Sequence, residues 1–305
     1  MKRIAIIMAG GSGERFWPVS RRLRPKQLLS LTEDRMMLES AIERIAPIVS
    51  REDVYIVTSK ALQEPIRSAM PDFPRANVIA EPHKRNTAPC LALGLAFVLG
   101  KYSGKLTSSD ISVAVLTADH HISPIKRFTE TAESALDYAE THPALVTIGI
   151  PPTRPETGYG YIETDSPFDG DEIEPEVKQV RAFREKPDYE TACRFVESGN
   201  FLWNSGMFFY RADTFIANLT DFLPEVAQKM PELVRLYSCY TESIDGCPDS
   251  IAEIFEAFPN VSIDYAIMEK SKFVAVAKST FIWDDIGSWD SLERYRVSDS
   301  DGNTI

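Results

Sequence analysis

Met8-Ala-Gly-Gly-Ser-Gly-Glu-Arg15 continues the end of an apolar run at residues 4–9 into a glycine loop. Glycine has no Cβ, so backbone N–H groups in such a loop can approach and encircle phosphate oxygens. The loop is not a dinucleotide fingerprint, because Phe16 stands where the third glycine of G-x-G-x-x-G falls, and no Gly-Lys-Ser/Thr closes it as a P-loop. A tight glycine turn between strand and helix is the plain structural alternative. Arg15 and Lys26 weigh against it. They flank the loop on an arm stiffened by Pro18 and Pro25, and two cations over a glycine loop suit a triphosphate whose charge must be neutralised for attack at phosphorus. Gly10, Gly11, Gly13, Arg15 and Lys26 form the first candidate set.

A second candidate lies in Thr117-Ala-Asp-His-His-Ile122, at the end of the most apolar strand pattern. Open α/β sheets bind ligands at the carboxyl ends of their parallel strands, which makes Asp119 a candidate metal ligand, with helix capping as the structural alternative. His120 and His121 read as packing or hydrogen-bonding residues. The four histidines lack the spacing of a zinc pair. Cys90, Cys193, Cys239 and Cys247 form no Cys-x-x-Cys pair, and no export signal precedes them, which points to reduced thiols in a cytoplasmic protein. A net charge of -12 argues against a nucleic-acid-binding surface. Cations are instead concentrated at Arg15, Arg21, Arg22, Arg24 and Lys26. No apolar run reaches the roughly 20 residues of a membrane span.

These candidates need a scaffold. Short β-branched runs at 3–8, 54–57, 77–80, 111–117 and 144–148 alternate with helical patterns at 38–45, 89–99 and 129–141, the signature of a parallel sheet built from crossover units. Thr129 is expected near the N-cap of the third helix, with acids in its early turns. Asn86 or Thr87 is expected to cap the second, with Pro89 in its first turn. The second half reads as strands at 159–163, 177–185, 206–210 and 273–277 in mixed pairing, with helices at 188–198, 212–218, 223–236 and 251–256. Residues 166–176 and 240–248 read as surface connections. The expected organisation is one domain over 1–297, with 298–305 beginning a linker or tail. The length leaves no room for a second catalytic half in this chain.

Gly10-Gly-Ser-Gly13, Arg15, Trp17-Pro18, Ser20-Arg21 and Pro25-Lys-Gln27 together resemble the signature of the sugar-nucleotide pyrophosphorylases, and the Trp-Pro and Lys-Gln details resemble their mannose-1-phosphate guanylyltransferase branch. The resemblance recurs in order at Glu81-Pro82, Arg85-Asn-Thr-Ala-Pro89, Thr157-Gly-Tyr-Gly-Tyr-Ile162, Phe183-Arg-Glu-Lys-Pro187, Trp203-Asn-Ser-Gly-Met207, Ser262-Ile-Asp-Tyr-Ala-Ile-Met-Glu269 and Trp283-Asp-Asp-Ile-Gly-Ser-Trp289. Arg184 departs from the family, which often has an apolar residue there.

The resemblance implies an α/β, Rossmann-like, mostly parallel mixed sheet with helices on both faces. It also implies transfer of GMP from GTP to mannose 1-phosphate, giving GDP-mannose and pyrophosphate in a homodimeric enzyme. Asp285 aligns with the second carboxylate for Mg2+ beside Asp119, while Asp284 points to the opposite face. Glu81, Asn86, Thr87 and Ala88 fall on the nucleotide side, where the Glu81 carboxylate can accept both guanine N1–H and the exocyclic amine. Gly160, Glu185, Asn204 and Ser205 fall on the sugar side, and Lys186 pairs with the sugar phosphate. Asp264 supports the sugar side or the fold. Two rival readings are the same reaction on another pair, such as thymidylyl transfer to glucose 1-phosphate, and a catalytically dead sensor of sugar nucleotides.

Overall fold

The structure is a computed structural model that describes residues 1–11, 13–168, 175–240 and 248–295. Ser12, most of the two acidic connections, Cys247 and the expected tail at 298–305 lie outside the described residues. Its strands in chain order are β1 (Lys2–Met8), β2 (Val54–Ser59), β3 (Val78–Glu81), β4 (Ile111–Thr117), β5 (His121–Ser123), β6 (Leu145–Ile150), β7 (Gly160–Thr164), β8 (Val177–Glu185), β9 (Phe201–Arg211), β10 (Val274–Lys278) and β11 (Ile282–Asp284). The helices are α1 (Met37–Ile45), α2 (Lys60–Ala69), α3 (Thr87–Lys101), α4 (Ile125–Thr141), α5 (Tyr189–Ser198), α6 (Ala212–Phe222), α7 (Pro224–Ala227), α8 (Met230–Tyr240) and α9 (Asp249–Glu256).

Nine of these strands form one sheet in the order β3-β2-β1-β4-β9-β6-β10-β8-β7. β1 to β4 run parallel, whereas β9 is antiparallel to both β4 and β6. The run Ile4 to Ile7 is wholly buried because a parallel sheet is covered on both faces. Its side chains alternate between two cores. Ile4 and Ile6 join α3, α6, α8 and α9, while Ala5 and Ile7 join α1, α2 and α4. Helices on both faces and a mixed, largely parallel sheet are thus the fold that the sequence implied. α3 is buried on nearly every side since α8 covers it, with Phe97 edge-on to Tyr237 at 5.2 Å.

Several elements differ from expectation for identifiable reasons. α2 was not expected: Pro65 sits within it, and its covered face carries Gln63 and Arg67. Those polar groups bond to backbone carbonyls of Val78 and Arg75, which a hydrophobic pattern cannot register. α4 starts at Ile125, one turn before residue 129; Pro124 precedes it, its first turn holds no acid, and Thr129 bonds back to the Ile125 carbonyl inside the helix. Residues 223–236 form two helices, α7 and α8. β9 begins at Phe201, five residues early, running through Asn204 and Ser205 with Gly206 at φ 70°. β5 and β11 pair antiparallel, Asp284 opposite His121, in a small sheet of their own.

Candidate active site

β1 delivers the glycine loop to the carboxyl edge of the parallel half. The loop's carbonyls are tied down from behind: Gln27 Nε2 donates to the carbonyls of Ala9 (2.8 Å) and Gly11 (3.2 Å), Thr58 to Ala9 (2.8 Å) and Ser20 to Gly13 (2.6 Å). Gly13 sits at φ 64°, and a Cβ there would meet the Lys26 nitrogen at 2.5 Å, so only glycine fits. At Gly11 a Cβ would enter open space, room that a phosphate can use.

Lys26, 6% exposed, carries its ammonium between two segments that are far apart in sequence. It donates to Asp119 Oδ2 at 2.9 Å and to the Asp285 carbonyl at 2.5 Å. Arg15 is exposed and reaches the Gly287 carbonyl at 3.5 Å. Gly13, Arg15, Lys26, Asp119 and Asp285 all line one cavity of about 330 Å³. The β5–β11 pair makes this possible, since Asp119 precedes β5 and Asp285 comes after β11.

The two carboxylates titrate in opposite directions. Burial penalises the Asp119 anion, but Lys26 and its other partners hold it below the ordinary range. Burial raises Asp285, against which a hydrogen bond from the Tyr159 hydroxyl to Oδ1 (2.8 Å) works. Asp284 faces the other way, as expected, accepting from the Ile286 N–H and from Arg294 and Tyr295. Burial drives His120 down to about 3, and its neutral Nδ1 accepts from Trp283 Nε1 at 3.0 Å, a packing role. His121 lies against the Tyr295 ring at 4.3 Å.

A second cavity, about 250 Å³, opens on the other side of Asp285. Gly160, Glu185, Lys186, Asn204 and Ser205 line it together with Tyr159, Thr87 and Asp264. A Cβ on Gly160 would strike Glu185 Oε2 at 2.5 Å, so the glycine lets that carboxylate lie across β7. Lys186 Nζ stands 3.0 Å from Glu185. Asn204 donates to Asp264 at 3.0 Å and accepts from Thr147 at 2.9 Å, which fixes its amide orientation. Burial and the neighbouring Glu185 push Asp264 up to about 6.

A third cavity, about 600 Å³, lies on the far side of the loop and is lined by Gly10, Trp17, Arg21, Arg22, Leu62 and Lys84 among others. Glu81 ends β3 beside Gly10; burial pushes its carboxyl up to about 7, and its buried Oε1 has no partner. The 86–88 segment opens α3. Asn86 caps α3 at φ 67°, accepting from the Thr87 N–H, and Ala88 is fully buried with its N–H on the Val261 carbonyl. Of the residues expected on the nucleotide side, Glu81, Asn86 and Ala88 line none of the three cavities. Thr87 lines the second cavity, where its hydroxyl accepts from the Ile263 N–H at 2.9 Å. Sequence reasoning gave Tyr159 no role and left Asp264 undecided; the only signal for either was its place inside a family motif.

A glycine loop, a buried lysine and two carboxylates at the carboxyl edge of a parallel sheet define an α/β protein built to handle phosphate esters. The chain belongs to the nucleotidyl transferase family, whose profile matches residues 4–301. It is 36% identical over 305 residues to a mannose-1-phosphate guanylyltransferase of Escherichia coli, covering 99% of this chain and 63% of that one. Against the mannose-1-phosphate guanylyltransferase of Salmonella montevideo it is 38% identical over 309 residues, covering 98% and 61%. The chain therefore spans about three fifths of the length of these curated relatives. A Thermus thermophilus crystal structure, described as a mannose-1-phosphate geranyltransferase, superposes with a TM-score of 0.81 at 33% identity, covering 97% of this chain and 79% of that one.

Proposed function

We propose that residues 1–297 form a nucleotidyltransferase domain that transfers GMP from GTP to α-D-mannose 1-phosphate, releasing pyrophosphate and forming GDP-mannose. The observation that carries this reading is Lys26, whose ammonium joins Asp119 to the Asp285 backbone in the cavity that the phosphate loop opens into. A sugar phosphate oxygen attacks the α-phosphorus of GTP, the bond from that phosphorus to the β-phosphate oxygen breaks, and pyrophosphate leaves with its electron pair. The attacking oxygen is already ionised at neutral pH, so no general base is needed, in keeping with a neutral, hydrogen-bonded His120. Catalysis is positioning and charge neutralisation.

Lys26 and Arg15 face the triphosphate beside the loop amides, and Lys186 faces the sugar phosphate from the neighbouring cavity. The partnerless Oε1 of Glu81 suits a donor pair on guanine. Asp119 and Asp285 fit a Mg2+ ion, because that cation is held by one or two carboxylates plus substrate phosphates and these two share one cavity. Bound there, Mg2+ supplies Lewis-acid neutralisation of phosphate oxygens. The names of the relatives support the choice of guanine and mannose. The reading also takes the protein as a cytoplasmic homodimer. Among the described residues no helix is long and apolar enough to cross a membrane.

Pyrophosphate release with Mg2+, measured for GTP, dTTP, UTP and ATP against mannose, glucose and N-acetylglucosamine 1-phosphates, tests it. Turnover confined to GTP with mannose 1-phosphate, and lost in Asp119→Asn, is expected. Turnover on a different pair would overturn the substrate assignment but keep the mechanism, and silence throughout would overturn both.

A further inference from the structure

Asp285 and His120 form the wall that the phosphate cavity and the sugar-side cavity have in common. One residue touches what stands on either side of that wall. The Tyr159 hydroxyl donates to Asp285 Oδ1 at 2.8 Å, and the Tyr159 carbonyl accepts from the Lys186 N–H at 3.3 Å. Lys186 needs that anchor, since it is held at φ 47°, a left-handed conformation that is strained for a residue with a Cβ. The Tyr159 ring is itself locked edge-on between Trp203 and Trp283, with both centroids at 5.3 Å. Trp283 is fixed in turn by its hydrogen bond to His120, the neighbour of Asp119. The aromatic box thus runs from one carboxylate to the other.

We propose that Tyr159 is a positioning residue that holds the Asp285 carboxylate in its metal-binding orientation and, through its backbone, sets Lys186 toward the sugar phosphate. The inference rests on the reading of Asp285 as a metal ligand. Without the phenol, Oδ1 has no donor among the described residues and the side chain is free to rotate away from Asp119. Partners that orient a metal ligand typically contribute 10- to 100-fold to metal affinity.

Tyr159→Phe keeps the ring between the two tryptophans and removes only the hydroxyl. Mn2+ alone is titrated by water-proton relaxation into wild type, Tyr159→Phe and Asp285→Asn, with urea unfolding run in parallel. The expected result is about 10-fold weaker Mn2+ binding in Tyr159→Phe, an unfolding midpoint close to wild type, and loss of most binding in Asp285→Asn. Equal Mn2+ affinity in wild type and Tyr159→Phe, with Asp285→Asn impaired, would overturn the role of Tyr159 alone. Wild-type binding in Asp285→Asn, or no binding by wild type, would overturn the metal reading of Asp285 and this inference with it.

Discussion

The two halves of the sheet hold their candidate phosphate groups by different means. In the parallel half, β1 to β4 end at the same edge, and the site there is made of segments that leave the strand ends: a glycine loop, a lysine on a short arm and a carboxylate after β4. In the mixed half, β9 enters against its neighbours, so residues within and at the ends of strands line the cavity: Asn204 and Ser205 in β9, Glu185 ending β8 and Gly160 opening β7. Backbone amides recognise any phosphate, whereas fixed carboxylates and amides discriminate between hydroxyl arrangements. On the proposed reading the parallel half serves the reacting group and the mixed half chooses the sugar, with Asp285 between them.

The largest effect that would sharpen this division is expected at Lys26, the only residue whose side chain bonds both to Asp119 and to the segment carrying Asp285 among the described residues. Lys26→Met should lower kcat by about 10³-fold, or about 4 kcal/mol of transition-state stabilisation, with little change in either KM. Lys26→Arg should not rescue it, since the ammonium lies in a buried slot that a planar guanidinium does not match. A rescue by arginine would reduce Lys26 to a general positive charge.

A smaller, pH-dependent effect is expected at Glu81. Its carboxyl titrates at about 7 in the fold against an ordinary 4.5, so between these values the folded chain holds more protons than the unfolded one. Stability therefore falls as pH rises through that window, and the loss stays in place above it. Glu81→Gln should remove the loss, making the variant more stable than wild type by about 3 kcal/mol at pH 8 but not at pH 4. Melting curves at the two pH values decide it, and a pH-independent difference would contradict the assignment.

The smallest effect tests the reassignment of Thr87. Thr87→Val removes the acceptor for the Ile263 N–H, worth about 1 kcal/mol. It should raise KM for mannose 1-phosphate several-fold and leave that for GTP unchanged. A shift in the GTP KM instead would return Thr87 to the nucleotide side.

Much of the parallel half was legible in the chain itself. Continuous apolar strands between helical patterns, a glycine loop after the first strand and a carboxylate after the fourth are local features, because each depends on the covalent neighbourhood of a few residues. The same locality gave β4 and β8 their bounds and brought β1 to within a residue of its own. It failed wherever a polar residue was buried against backbone, as at Gln63 and Arg67 in α2, or where a glycine continued a strand, as at Gly206 in β9.

By itself the sequence determined which groups this protein has for chemistry and the strand periods that bring most of them to one edge of a sheet. Only the tertiary structure decided their partners. Lys26 meets Asp119 across 93 positions, Tyr159 meets Asp285 across 126 and Ile263 meets Thr87 across 176. Such pairings are set by how strands order and pack, and hydrogen bonds at these separations leave no periodic trace in the chain.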